Sequence, residues 1–291
     1  MASVDVEDEE DKNLKEEQIT KIIQRVKNAK PSKSGGFAKI WTFKDEGLAV
    51  KSVSCDYKDQ YEAELKIIRS LKPHTNIIKL WGSFEDHKYS YLLLEHCLWS
   101  LKEVLDDNEK LKLLKWEETT QIARGIARGI NHMHDARIAH CDLKPANIML
   151  AKNDNPIIED NVRIIDFGAS CSFGEDVTIA TDAYCNEGEQ EQGEKTKASP
   201  QRDIYAFGSI LIHLLCRNSE VQKRQKRGTI SIQKYVCAIK DSQFVHGNLK
   251  KKHNRTEVEK LGKLAKDCVA EDPQSRPSIK EILTTLDNLS N

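Results

Sequence analysis

The chain has 291 residues, 38% of them hydrophobic and 31% charged, with Lys plus Arg at 45 against Asp plus Glu at 46. A formal net charge of −1 offers no global field for nucleic acid, and no apolar run approaches the roughly 18 residues of a membrane span. The eight cysteines are scattered without C-x-x-C or zinc spacing, so they are expected to be reduced thiols in a cytosolic or nuclear protein.

In chain order, residues 1–13 are acidic (Asp5, Glu7, Asp8, Glu9, Glu10, Asp11) and lack the basic start and apolar core of a signal peptide. Ile19, Ile22, Ile23 and Val26 then recur at i, i+3, i+4 and i+7, a helical stripe that packs on this chain or binds a partner. Residues 37–43 and 48–53 read as strands flanking a polar turn that ends in Gly47. Residues 57–71 read as a helix, and 77–84 and 89–94 as two more strands. The expectation is a small antiparallel lobe over 31–97, preceded by an acidic tail and amphipathic helix over 1–30.

From residue 98 to 291 the pattern is helical. Ile122, Ile126, Ile130 and Met133 line one face of a helix over Trp116–Asp135. Gly125 and Gly129 stand four apart on it, where a neighbouring helix would approach closely; Arg124 and Arg128 argue against a membrane dimer. Near the end, Ser278 and Glu281 form a capping box before the stripe Ile279, Ile282, Leu283, Leu286, Leu289.

Two stretches carry chemistry. The first is His140-Cys141-Asp142-Leu143-Lys144-Pro145-Ala146-Asn147; the second is Asp166-Phe167-Gly168. They hold the groups that phosphoryl transfer needs: a base for a hydroxyl, a phosphate-facing lysine, and an amide and a carboxylate for Mg²⁺. Lys51, in Leu48-Ala49-Val50-Lys51, is a lysine on an apolar strand that needs an anion to face. Glu64 or Glu62, two residues apart and so about 200° around a helix, would supply one partner, and phosphate the other. Alone, an Asp and an Asn five positions apart read as caps of a turn; with Lys144 and the Asp166 triplet beside them, a catalytic loop is the better reading.

On these residues the chain resembles a eukaryotic-type protein kinase over about 31–288, and Asp142 to Asn147 resembles the Ser/Thr class. The resemblance implies an α+β, bilobal protein-kinase-like fold, with a small antiparallel β lobe carrying one helix and a larger, mainly helical lobe. It implies ATP and Mg²⁺ as cofactors and a protein substrate with a Ser or Thr hydroxyl. Asp142 would be the base, Lys144 would steady the transferring phosphoryl group, and Thr181 would contact both. Asn147 and Asp166 would hold Mg²⁺. Gly35, Gly36, Ile40 and Ala49 would surround the nucleotide, Lys51 would face its phosphates, and spacing to His74 favours Glu64 as the partner of Lys51. Leu94 would gate the back of the adenine pocket, with Glu95, His96 and Cys97 as its hinge. Ile68, Leu80, His140 and Phe167 would form the internal spine, and Asp203 would anchor the catalytic loop.

Three departures bear on activity. The glycine loop is degraded: Lys33, Gly35 and Ala38 stand at the three glycine positions. Cys141 replaces the arginine that normally pairs with a phosphorylated activation loop, so switching by that device is not expected. Asn186-Glu187-Gly188 stands where the family has A-P-E, so Glu187, Glu189 or Glu191 is expected to partner the buried Arg276. The leading expectation is an active Ser/Thr protein kinase; the alternatives are a pseudokinase that binds nucleotide weakly and acts as a scaffold, and a small-molecule phosphotransferase. The basic runs at 223–227 and 250–255 are candidates for docking an acidic partner or for a nuclear address. Neither nucleic acid nor membrane is an expected partner, and the cytoplasm is the expected location.

Overall fold

The computed structural model describes residues 14, 16–35, 38–112, 114–151, 157–178, 195–216, 236, 245–246, 249 and 255–289. The chain divides into two compact units. The smaller holds the chain up to Tyr61 together with Lys79–His96; the larger holds Glu62–Ile78 and everything from Cys97 on. Residues 62–78 thus group with the helical unit rather than with the 31–97 block read from the sequence.

The smaller unit is a five-stranded antiparallel sheet in the order β1 (Lys33–Ser34), β2 (Ala38–Phe43), β3 (Leu48–Ser54), β5 (Tyr89–Glu95), β4 (Leu80–Glu85). Residues 77–79, expected to begin the fourth strand, lie outside it; Ile77 forms an isolated bridge to Ile164 in the larger unit's own sheet. Between β2 and β3 the chain reverses through Gly47, whose φ of 64° is cheap only for glycine, and its N–H donates to the Lys44 carbonyl at 3.1 Å. In register, Val50 faces Leu93, and both are fully buried.

Helix α1 (Glu16–Asn28) covers this sheet. Its apolar stripe, Ile22, Ile23 and Val26, packs with Trp41, Leu48, Val50, Tyr91 and Leu93. Burying three such side chains contributes about 1.5–3 kcal/mol each. A side chain at Gly82 would meet the Ile19 tip at 3.0 Å, so the glycine lets α1 sit close to β4. The Trp41 indole N–H donates to the Ala29 carbonyl at 3.1 Å, and Arg25 lies over the Phe43 ring while bonding Glu46 at 2.7 Å. The stripe is therefore used within the chain.

Helix α2 (Lys58–Ser70) follows, and the larger unit is then built on α5 (Trp116–Asp135), whose bounds match the sequence reading. Before α5 come β6 (Trp99–Ser100), α3 (Leu101–Asp106) and α4 (Asn108–Leu111); after it come β7 (Ile138–Ala139), β8 (Ile148–Leu150), β9 (Val162–Ile164), β10 (Cys171–Ser172), β11 (Asp176–Thr178) and β12 (Lys195–Lys197). Helices α6 (Pro200–Cys216), α7 (Arg255–Cys268) and α8 (Ile279–Asp287) complete the described elements. Strands β6, β8 and β9 form one small sheet, and β7 pairs with β10.

The Gly125 and Gly129 pair faces a strand, not the neighbouring helix expected from sequence. A Cβ at Gly125 would fall 2.6 Å from the Glu159 carbonyl and 2.7 Å from Val162; one at Gly129 would fall 2.7 Å from Ile164. Both glycines let α5 lie against β9 and the turn before it. Arg124, on the same helix, is buried and donates to the carbonyls of Leu286 and Leu289, closing the C-terminal end of α8. The capping box at Ser278 and Glu281 forms as expected. Among the described residues no helix is long and apolar enough to cross a membrane.

Candidate active site

In the larger unit the loop after β7 is held by one buried carboxylate. Asp203, on α6 and 1% exposed, accepts the backbone N–H of His140 at 2.9 Å and of Cys141 at 3.0 Å. The His134 ring nitrogen lies 2.9 Å from the same carboxylate. Burial alone would raise this acid, yet the His134 bond and the N–H bonds prevail and hold it below the usual carboxylate range. Asp203 is therefore an ionised anchor with three donors converging on it.

The anchor sets the next residues. His140 is fully buried; its Nδ1 accepts the Asp142 N–H at 3.3 Å, so its Nε2 carries the proton and donates to the Ile165 carbonyl at 3.0 Å. The ring centroid lies 5.5 Å from that of Phe167. The Asp142 carboxylate accepts Lys144 Nζ at 2.9 Å and Asn147 Nδ2 at 3.0 Å. Asn147 Nδ2 also donates to the Asp142 carbonyl at 2.8 Å, and the Asn147 carbonyl accepts the Ile165 N–H at 3.0 Å. One asparagine thus ties the loop to the chain just before Asp166.

Asp166 has φ of 66° and Cys141 φ of 64°, left-handed values that cost a non-glycine residue of order 1–3 kcal/mol and persist only where surroundings over-determine them. The bonds to Asp203 and Asn147 on either side supply that constraint. Three of the expected groups, Asp142, Lys144 and Asn147, are brought into direct contact, and Asp166 follows immediately on the bonded Ile165.

The remaining expected residues are distributed as follows. Glu64 is buried on α2 whereas Glu62 is exposed, so burial separates the two candidates that spacing left close. Lys51 is half-buried on β3, paired in register with Ile40 and Leu92; Ala49 pairs with Leu94. The Glu95 N–H donates to the Lys79 carbonyl at 3.0 Å and the His96 N–H to the Gly47 carbonyl at 2.8 Å. Cys97 is buried. Lys33 is a plain β-strand residue opposite Ile40, so no left-handed backbone is asked of it. Gly35 donates its N–H to the Ala38 carbonyl at 2.9 Å. Gly36 and Thr181 lie outside the described residues, as do Glu187, Glu189, Glu191, the basic run at 223–227 and most of that at 250–255.

Arg276 is buried, with Nε donating to the Ala270 carbonyl at 3.0 Å, Nη1 to the Gln201 carbonyl at 3.0 Å, and its guanidinium 4.9 Å from the Tyr205 ring centroid. Two carbonyls and a ring thus face this charge; Glu187, Glu189 and Glu191, its expected partners, lie outside the described residues. Sequence reasoning missed His134 and Asn76. Asn76 donates to the carbonyls of Glu159 and Val162, pinning the turn before β9. The signal for Asn76 was present in His74-Thr75-Asn76; His134 had none, because its partner is remote in sequence.

An antiparallel five-stranded unit followed by a helical unit that carries this anchored loop defines an α+β kinase. The protein kinase domain family matches residues 34–286, and the chain belongs to that family. It is 29% identical over 88% of its length to Cysteine-rich receptor-like protein kinase 25 of Arabidopsis thaliana, covering 40% of that protein. It is 28% identical to Phytosulfokine receptor 1 of the same plant, over 88% of this chain and 26% of the receptor. It is 27% identical over 87% of its length to a probable LRR receptor-like serine/threonine-protein kinase of Arabidopsis thaliana, covering 28% of it. The chain thus spans less than half the length of these relatives. Protein kinases in general act on protein substrates and use ATP with a divalent metal.

The donor chemistry here fits such a metal. Asn147 and Asp166 offer hard oxygen ligands, and few of them. That suits a Mg²⁺ that keeps waters and shares phosphate oxygens rather than one caged by protein. Among the described residues there is no cluster of three or more His, Cys, Asp or Glu side chains that would cage an ion instead.

Proposed function

We propose that this chain is an active, ATP-dependent protein kinase that phosphorylates Ser or Thr hydroxyls. The observation that carries the reading is the Asp142 carboxylate held within 3.0 Å of both Lys144 and Asn147. In this reading Asp142 orients the substrate hydroxyl and accepts its proton late, as the oxygen forms its bond to the γ-phosphorus and the bond to the ADP oxygen breaks. Lys144 already sits beside that carboxylate and offsets charge spreading over the phosphoryl oxygens. Asn147 and Asp166 would hold Mg²⁺, which when bound neutralises the phosphate charge. Lys51 is assigned the phosphates, with Glu64 as its expected partner by the spacing to His74 that the kinase resemblance implies. Gly35, Gly36, Ile40 and Ala49 are assigned the nucleotide, Leu94, Glu95 and Cys97 the adenine, and Thr181 the contact to Asp142 and Lys144.

Ser/Thr specificity is supported by Lys144-Pro145 and by the similarity to an LRR receptor-like serine/threonine-protein kinase. A cytoplasmic setting is supported by six free cysteines among the described residues. An acidic docking partner for the basic runs remains part of the proposal on charge alone.

The test is transfer of radiolabel from ATP to a generic basic protein, or to the chain itself, with Mg²⁺ present. Transfer that disappears in Asp142→Asn supports the reading. Nucleotide-dependent thermal stabilisation without transfer would instead favour a pseudokinase scaffold, which the non-glycine Lys33 and Ala38 of the β1–β2 hairpin favour. Label on a sugar or aminoglycoside and on no protein would select a small-molecule phosphotransferase.

A further inference from the structure

Cys141 and Cys171 are both free thiols, brought together by the pairing of β7 with β10. In that ladder Cys171 stands opposite Ala139, two residues before Cys141. The two belong to one small cluster with Ala139, Val177 and Ala198. Cys171 packs against the cluster that holds Cys141. Neighbouring contacts hold the second strand in place: the Phe173 N–H donates to the Arg137 carbonyl at 2.9 Å, the Ser170 hydroxyl to the His140 carbonyl at 3.1 Å, and Phe173 packs edge-on to His134.

The two sulfurs are not equivalent. Cys141 is 7% exposed, and the neighbouring Cys171 together with burial keeps its proton on. Cys171 is partly exposed, and the neighbouring Cys141 favours its thiolate. An accessible thiolate beside a buried thiol is the arrangement of an attacking and a resolving cysteine.

We propose that Cys141 and Cys171 are a reversible disulfide site, driven by hydrogen peroxide, that ties the residue before Asp142 to strand β10. The Cys171 thiolate attacks one peroxide oxygen, breaking the O–O bond, forming sulfenic acid and releasing hydroxide. The Cys141 sulfur then attacks the sulfenic sulfur; the S–S bond forms, the S–O bond breaks, and the oxygen leaves as water with the Cys141 proton. Two electrons pass from the sulfurs to the peroxide, and a thiol reductant returns them. A disulfide draws the two sulfurs to within bonding distance, whereas Cys141 is held by Asp203 at 3.0 Å and adjoins Asp142. Its displacement is expected to lower phosphoryl transfer, a consequence that rests on the kinase reading; the disulfide itself does not.

The experiment treats the purified full chain with hydrogen peroxide and maps its cysteines by non-reducing peptide mass spectrometry. Expected is a cross-link between the peptides containing Cys141 and Cys171, reversed by dithiothreitol, with exposed Cys55 reacting more slowly. In Cys141→Ser, Cys171 should accumulate as a sulfenic acid that a dimedone probe labels. Oxidation of Cys171 to sulfinic acid without cross-linking in the wild type, or reaction at Cys55 first, overturns the site. Where the reduced chain shows transfer, the cross-linked form should lose it roughly ten-fold or more, since an ångström's misplacement can cost up to about 10²-fold. Cys171→Ser should be insensitive to peroxide, and unchanged transfer in the cross-linked wild type overturns the regulatory consequence while leaving the cross-link intact.

Discussion

The loop over residues 140–147 and the hairpin over 33–40 are both assigned to the same phosphoryl transfer, yet they are built differently. In the loop His140, Cys141 and Asn147 have partners remote in sequence: Asp203 holds two backbone N–H groups, Asn147 bridges to Ile165, and His140 bonds the Ile165 carbonyl. The described part of the hairpin is held by strand pairing and near-neighbour bonds: the two-residue β1–β2 ladder, the N–H bonds of Gly35 to Ala38 and of Ser32 to Ile40, and the pairing of β2 with β3. The lesson is that positions fixed by converging bonds tolerate strain, as at Cys141 and Asp166, whereas a hairpin with an ordinary extended backbone tolerates substitution, as at Lys33 and Ala38.

Five variants sharpen or break that contrast. Asp142→Asn should cut kcat by about 10²–10⁴-fold, with the melting temperature nearly unchanged; a variant that keeps wild-type turnover breaks the catalytic assignment. Asp203→Ala should cost about 3–5 kcal/mol in denaturant unfolding, because it leaves His134 and two buried N–H groups without their acceptor. The same residue carries a pH signature. Its carboxyl is held below the usual range when folded, so its contribution is present above the ordinary carboxylate pKa of about 3.9 and is lost as pH falls through the depressed value. Asp203→Asn should lose that acid-side component of the stability profile; an unaltered profile would contradict the ionised anchor.

A smaller effect is expected on α5. Gly125→Ala places a methyl 2.6 Å from a backbone carbonyl, and overpacking of this kind costs about 1–3 kcal/mol. The gain in helix propensity, about 1 kcal/mol, offsets part of it, so thermal melting should fall by a few degrees at most. The smallest belongs to the hairpin. At Gly35 an added Cβ would rest 3.6 Å from the Ala38 carbonyl, an ordinary contact, and no positive φ is needed. Gly35→Ala should leave stability unchanged or raise it by about 0.4–1 kcal/mol. A rise in KM for ATP in that variant would reveal a close approach of backbone to phosphate, and an unaltered KM would argue against one.

Much of this was legible in the sequence because the signals are local. The helical stripe of α1, the turn at Gly47, the capping box at Ser278 and the span of α5 follow from periodicity and backbone preferences acting over a few residues. The catalytic-loop motif was legible for a related reason: Asp142, Lys144 and Asn147 lie within one short loop, so their spacing already limits their geometry. That Glu64 is buried and Glu62 exposed was not legible, because burial depends on what packs against the helix. The sequence also suggested a helix as the neighbour of Gly125 and Gly129, and a strand took that place, because glycine spacing reports a close approach without naming what approaches.

By itself, then, the order of residues determined which chemical groups this protein carries and which short segments hold them, since propensity, capping and motif spacing are near-neighbour effects. Tertiary structure alone decided which distant groups meet: Asp203 with His134 and the loop, Arg276 with two carbonyls and Tyr205, Cys141 with Cys171. Those pairings depend on burial, which makes an unsatisfied charge or donor costly enough to select its partner from anywhere in the chain.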